Sequence, residues 1–105
     1  ISQIGNKNTA SIDQEGFFNK GYINQFGDNN EATIDQEGFF YIGVIGQFGD
    51  NNEAHISQTG PFESEPIIQQ NGNSNNAGIM ALGESKNLAV NQNGSNQNIK
   101  ILIGE

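Results

Sequence analysis

The residues of this sequence with chemistry to offer are mostly carboxylates and amides. Aspartate and glutamate number 12, histidine occurs once, and cysteine is absent. Without cysteine there are no disulfides and no thiolate metal sites. His55, the sole imidazole, has no catalytic or metal-binding set built around it. Asp28 and Glu31 could hold calcium loosely, but neither EF-hand nor nonapeptide calcium spacing is present. Asn93-Gly94-Ser95 fits a glycosylation sequon, a match that short sequences give freely. No catalytic residue, metal ligand or cofactor is therefore expected. What remains is the amide, donor and acceptor in one group, and its placement carries the reading.

Glutamine recurs every 11 residues, at Gln3, Gln14, Gln25, Gln36, Gln47 and Gln58, and then, after one residue is gained, at Gln70 and Gln92. With Gln as position 0 of a unit Q-x-G-x-x-N-x-A-x-I-x, half-repeats start near 3, 14, 25, 36, 47, 58, 70, 81, 92 and 103. Position 2 is Gly5, Gly16, Gly27, Gly38, Gly49, Gly60, Gly72, Gly83 and Gly94. Position 5 favours asparagine, at Asn8, Asn19, Asn30, Asn52 and Asn75. Position 7 is mostly small, and position 9 is always β-branched: Ile12, Ile23, Ile34, Ile45, Ile56, Ile67, Ile79, Val90 and Ile101.

Positions 5, 7, 9 and the next 0 are spaced by two, the side-chain period of a strand. Each unit reads as one strand with Asn, a small residue, Ile and Gln on a single face. The glycine then ends it, where a turn needs positive φ or close backbone approach. Helix is disfavoured by the Gly, Asn and β-branched content and by the lack of a 3.6-residue stripe. Units alternate between polar turns (Asp28-Asn29, Asp50-Asn51) and Phe-Phe turns (Phe17-Phe18, Phe39-Phe40), so the full period is 22 residues and QFGDNNEA appears at both 25–32 and 47–54. The expected fold is all-β: a two-sheet β-solenoid of about five 22-residue rungs, with like residues stacked about 4.8 Å apart. Asn71-Gly72 and Asn93-Gly94 are also hairpin signals, but a meander of hairpins has no reason to copy a sequence at every second strand. Residues 1–105 are read as a single domain.

Net charge is −8 with four Lys and Arg, which argues against nucleic-acid binding. No apolar run reaches the roughly 20 residues of a membrane span. Ile1 opens the chain without Met, which we read as a mature or trimmed form compatible with a removed signal peptide.

The pattern Q-x-G-x-x-N-x-A-x-x-x-Q resembles the repeat of curlin, the subunit of bacterial curli fibres. Gln3–Gln14, Gln25–Gln36 and Gln47–Gln58 match it at all five fixed places. The resemblance implies a solenoid that assembles into extracellular amyloid in a biofilm matrix. It also implies a homopolymer whose partners include a nucleator and secretion or chaperone proteins. The unit from Gln58 departs from the pattern: counted from Gln58, Glu63 and Glu65 fall on inward positions beside Pro61 and Pro66, so 58–69 is expected to be distorted or looped outward. Ala81 and Ile103 stand where glutamine is expected. These departures leave open a major or a nucleating subunit.

In such a rung the small position 7 of one sheet faces the Ile of the other, and the Gln and Asn columns form amide ladders, each side chain donating to one neighbouring rung and accepting from the other. The ends of the stack, at Ile1, Gln3, Ile101 and Ile103, are expected to join subunits head to tail in register. The phenylalanines form a corner ladder or a lateral contact patch. A soluble monomeric solenoid that binds a ligand or surface through a flat face is the alternative, though it would call for a regular outward Thr array, and only Thr9, Thr33 and Thr59 are scattered along the chain. Acid columns (Asp13 with Asp35, Glu15 with Glu37, Asp28 with Asp50, Glu31 with Glu53) oppose stacking. Assembly should therefore speed up at mildly acidic pH or with added cations. Rates flat between about pH 4 and 8 and indifferent to salt would overturn this.

Overall fold

A computed structural model describes residues 1–60, 64–82 and 88–103. Among the described residues ten strands follow one another: β1 (Ser2–Ile4), β2 (Thr9–Phe17), β3 (Lys20–Phe26), β4 (Glu31–Phe39), β5 (Ile42–Phe48), β6 (Glu53–Gly60), β7 (Ile67–Asn71), β8 (Asn76–Leu82), β9 (Ala89–Asn93) and β10 (Asn98–Ile103). The described residues include no helix and hence none that could cross a membrane. Odd strands form one parallel sheet in the order β1-β3-β5-β7-β9, which we call sheet A. Even strands form a second, sheet B, in the order β10-β8-β6-β4-β2. The chain passes from one sheet to the other at every turn, so the fold is a two-sheet β-solenoid, as its 22-residue period predicts.

Register follows the repeat. Ile12 lies beside Ile34, Ile34 beside Ile56, and Ile56 beside Ile79. Gln25 lies beside Gln47 and Gln47 beside Gln70. A slip of one residue would turn every inward side chain outward. The interior is a thin double layer of Ile23, Ile34, Ile45, Ile56, Ile68, Ile79 and Val90 with Ala32, Ala54 and Ala77. Ile12 and Ile101, in the end rungs, are half-buried. Large meets small across it: a Cβ at Gly21 would lie 2.9 Å from Ile12 Cγ2, and one at Gly43 would lie 3.1 Å from Ile34 Cγ2. Gly21 and Gly43 are therefore small because an isoleucine of the facing sheet fills their space.

The irregular unit corrects the expected core column. Gly38 pairs with Gly60 at a shift of 22, whereas Tyr41 pairs with Ser64 at a shift of 23. The extra residue is thus accommodated between Gly60 and Ser64, and everything after it is moved one place. Ile68, not Ile67, sits beside Ile45 and Val90 and is fully buried; Ile67 points outward and is 43% exposed. Glu65 is likewise exposed, while Ser64 and Pro66 take the inward places. The physical reason is that a carboxylate inside this dry layer would have no partner, whereas proline is apolar and needs to supply only an acceptor: its carbonyl takes the Val44 N–H at 3.1 Å. The part of the unit from Ser64 onward remains in the sheet rather than looping out. Pro61, Phe62, Glu63 and the turn glycine Gly83 lie outside the described residues.

These registers distinguish adjacent isoleucines. Ile68→Ala should lower unfolding stability by about 2–5 kcal/mol, while Ile67→Ala should change it by well under about 1 kcal/mol. Denaturant midpoints for the two variants check the assignment; equal losses would refute it.

Candidate functional site

The functional surface suggested by the repeat is a set of columns running the length of the stack. Its most continuous part is the glutamine column of sheet A. The side-chain amide of Gln3 donates to Gln25 at 2.7 Å, Gln25 to Gln47 at 2.8 Å, Gln47 to Gln70 at 2.9 Å and Gln70 to Gln92 at 2.8 Å. Each of these amides has a second N–H, and from Gln25 onward it reaches the start of the opposite sheet: Gln25 to the Thr9 carbonyl, Gln47 to Glu31, Gln70 to Glu53 and Gln92 to Asn76, at 2.9–3.1 Å. One side chain thus ties its own rung to the next and sheet A to sheet B. Gln25, Gln47, Gln70 and Gln92 are fully buried, and no buried side-chain polar atom among the described residues lacks a partner.

In sheet B the same column is shorter. Gln14 donates to Gln36 at 2.7 Å and Gln36 to Gln58 at 2.8 Å. Gln58 then turns to the Ser64 carbonyl at 3.2 Å, because Ala81 follows in register and offers no acceptor. Ile103 lies beside Ala81 in the last strand.

The asparagine column differs from the expected amide ladder. Asn8, Asn30, Asn52 and Asn75 donate to the turn-glycine carbonyls of the following rung, Gly27, Gly49, Gly72 and Gly94, at 2.8–2.9 Å; Asn19 reaches Gly38 at 3.1 Å. Their side-chain oxygens accept backbone N–H groups of that same following rung: Asn30 on Asn8, Tyr41 on Asn19, Asn52 on Asn30, Asn75 on Asn52 and Gln97 on Asn75, at 3.0–3.1 Å. Donation and acceptance both point one way along the stack, and both go to backbone. The shorter side chain explains this: it stays beside its own turn, where the next rung presents a carbonyl and an N–H at once.

Tyr41 occupies this column in place of asparagine and is buried. Its hydroxyl donates to the Gly60 carbonyl at 2.6 Å, replacing the asparagine's reach. A third set of contacts is made by Asp28, Asp50 and Asn73, whose side-chain oxygens accept the N–H of Asn6, Asp28 and Asp50 in the preceding rung at 2.8–3.0 Å. Asp28 and Asp50 are therefore hydrogen-bonded turn residues as well as an acid column. Asp13, Glu15, Asp35 and Glu37 instead alternate with the inward residues on the outer side of sheet B.

The turns impose their own constraint. Gly5, Gly16, Gly27, Gly38, Gly49, Gly60, Gly72 and Gly94 have φ between 114° and 144°. A Cβ on Gly27 would also run into the carbonyl oxygen of Gly49 in the next rung. Two residues later the chain enters the left-handed region again, at Lys7, Phe18, Asn29, Phe40, Asn51, Ser74 and Asn96, with φ of 58–60°. Asparagine suits that position and phenylalanine does not. Phe18 and Phe40 tolerate it while stacking at 5.2 Å, as Phe17 and Phe39 do at 5.6 Å. The recurring Asp-Asn pairs were the signal for both the side-chain cap and the left-handed residue. Tyr41 had only its count within the repeat.

His55 sits on the outer face of sheet B, beside Thr33 and Gly78. Among the described residues no group of three or more His, Asp or Glu side chains could hold a metal ion.

Removing one amide from the middle of the column should cost far more than removing one at its edge. Gln47→Leu strands the Gln25 donor and the Gln70 acceptor and should destabilise by about 2–6 kcal/mol, whereas Gln14→Leu strands one acceptor and should cost about 1–3 kcal/mol. Comparable losses in chemical denaturation of the two variants would contradict the ladder as the main tie between rungs.

A family model described as the curlin associated repeat matches residues 5–38. No curated protein and no solved structure matches the chain. The matched segment runs from the glycine of the first turn to that of the fourth strand, and the glycine, glutamine and isoleucine columns it contains continue rung by rung beyond it. This chain therefore carries a curlin-type repeat.

Proposed function

We propose that the chain is a structural subunit, not an enzyme, of an extracellular curli-type amyloid fibre that contributes to biofilm matrix and adhesion and grows by head-to-tail stacking of its rungs. One observation carries the reading: the glutamine column of sheet A runs from Gln3 to Gln92, and among the described residues the stack finishes at unpaired sheet edges, β1 and β2 on one side and β9 and β10 on the other. Such edges present rows of backbone donors and acceptors that template another strand. The glutamine column makes the template directional, because Gln92 of one subunit would offer its amide to Gln3 of the next.

Continuing the same register, Val90 would lie under Ile1 of the following copy, Ile101 under Ile12 and Ile103 under Gln14. Sheet A then meets like with like, as it does inside the subunit. Sheet B sets an isoleucine against a glutamine, which favours a second reading in which the C-terminal end accepts a related but different chain, as a minor nucleating subunit would. Curli-type secretion and chaperone proteins are the other partners the reading implies.

Purified protein incubated at micromolar concentration should give unbranched fibres that are seeded by fragments of themselves. Their fibre diffraction should show a meridional spacing near about 4.8 Å. A stable monomer that ignores seeds would remove the fibre reading and leave a soluble solenoid.

A further inference from the structure

The two outer faces of the solenoid differ in kind. The face of sheet B carries Asp13, Glu15, Glu31, Asp35, Glu37 and Glu53 over its first three strands. Two such faces brought together would set like charges against each other in a desolvated layer. On the face of sheet A the outward residues of β5 are Ile42, Val44, Gly46 and Phe48, with no charge or polar side chain among them. Tyr22, Phe26 and Ile67 flank them and are 52%, 37% and 43% exposed, and Phe26 stacks on Phe48 with ring centroids 5.1 Å apart.

We propose that this face pairs two parallel filaments of the chain, sheet A against sheet A, about a two-fold axis along the stack; the proposal rests on the fibre reading above. The occupant is a second copy because the face is complementary to itself. A two-fold along the stack reverses strand direction across the interface while keeping rungs level. It sets Val44 against Gly46 of the facing copy and Ile42 against its Phe48, so that each large side chain meets a small or flat one. In the rung below, Lys20 comes opposite Phe26, a cation over an aromatic face.

The area settles when pairing occurs. The strands of sheet A are three, seven, seven, five and five residues long, and at about 3.3 Å by 4.8 Å per residue they give a face of roughly 430 Å². A stable complex commits roughly 800 Å² per partner. Single subunits therefore do not pair through this face. Filaments do, because the same contact recurs with every subunit added.

Gly46 allows a clean test. Its φ is not in the left-handed region, and a Cβ there would meet only Phe48 Cε2, at 3.6 Å, an ordinary contact. Gly46→Asp places a charge in the middle of the face without disturbing the subunit. Ser57→Asp adds the same charge to the outer face of sheet B, and Val44→Glu is a second disruption of sheet A. Mass per length is measured by scanning transmission electron microscopy on fibres of each. One 11.3 kDa chain per five strands corresponds to about 4.7 kDa per nm for a single filament. Wild-type and Ser57→Asp fibres should read twice that, and Gly46→Asp and Val44→Glu fibres should fall twofold to the single value. Wild-type fibres at the single value would overturn pairing and leave the fibre standing. Doubled fibres from Gly46→Asp would overturn pairing through this face. Loss of fibres in both sheet A variants would overturn it too, because the face would then be serving the single filament. An absence of wild-type fibres would overturn the fibre reading and the pairing with it.

Discussion

The structure depends on the stacking of identical amides at a repeat set by the backbone. Parallel strands place equivalent residues about 4.8 Å apart, and a glutamine side chain can span that distance only if the next rung carries glutamine in the same place. Gln25, Gln47, Gln70 and Gln92 satisfy this while each also holds a carbonyl of the opposite sheet. Buried amides are costly unless satisfied, so a change at one rung reaches both neighbours. That mutual dependence explains an eight-residue stretch kept unchanged between rungs, which packing alone would not demand.

The other columns solve local problems created by this stacking. Tight turns leave carbonyls and N–H groups that the strands cannot pair. Asparagine takes one of each from the following rung, and aspartate or asparagine two places earlier takes another from the preceding rung. Glycine is required where the next rung's carbonyl occupies the space of a Cβ. The interior is consequently thin: one layer of isoleucine against one of alanine or glycine. Cohesion along the stack is mainly polar and directional, while cohesion across it is apolar.

This division of labour bears on polymerisation. A globular domain closes its hydrogen bonding on itself, whereas here each rung satisfies its neighbour and, among the described residues, the edge strands β9 and β10 have a partner on one side alone. The outer faces are also unequal, acidic over the early strands of sheet B and apolar over the middle of sheet A. A filament made of such subunits would be adhesive on one side and self-repelling on the other.

The sequence by itself determined the fold class and most column memberships, because a strict repeat leaves a solenoid few other ways to place its residues. It also told inward from outward wherever the spacing stayed at 11. It went wrong where the spacing changed: nothing in QTGPFESEPII states where the extra residue is absorbed, and counting from Gln58 put Ile67 and Glu65 inside. Only the tertiary structure decided that, since the burial of Ile68 and Pro66 depends on what Ile45 and Val44 offer in the neighbouring strand. The partners of the asparagines were likewise beyond the repeat pattern. Column membership follows from periodicity, but the group a side chain reaches depends on its length and on where the adjacent rung turns its carbonyls.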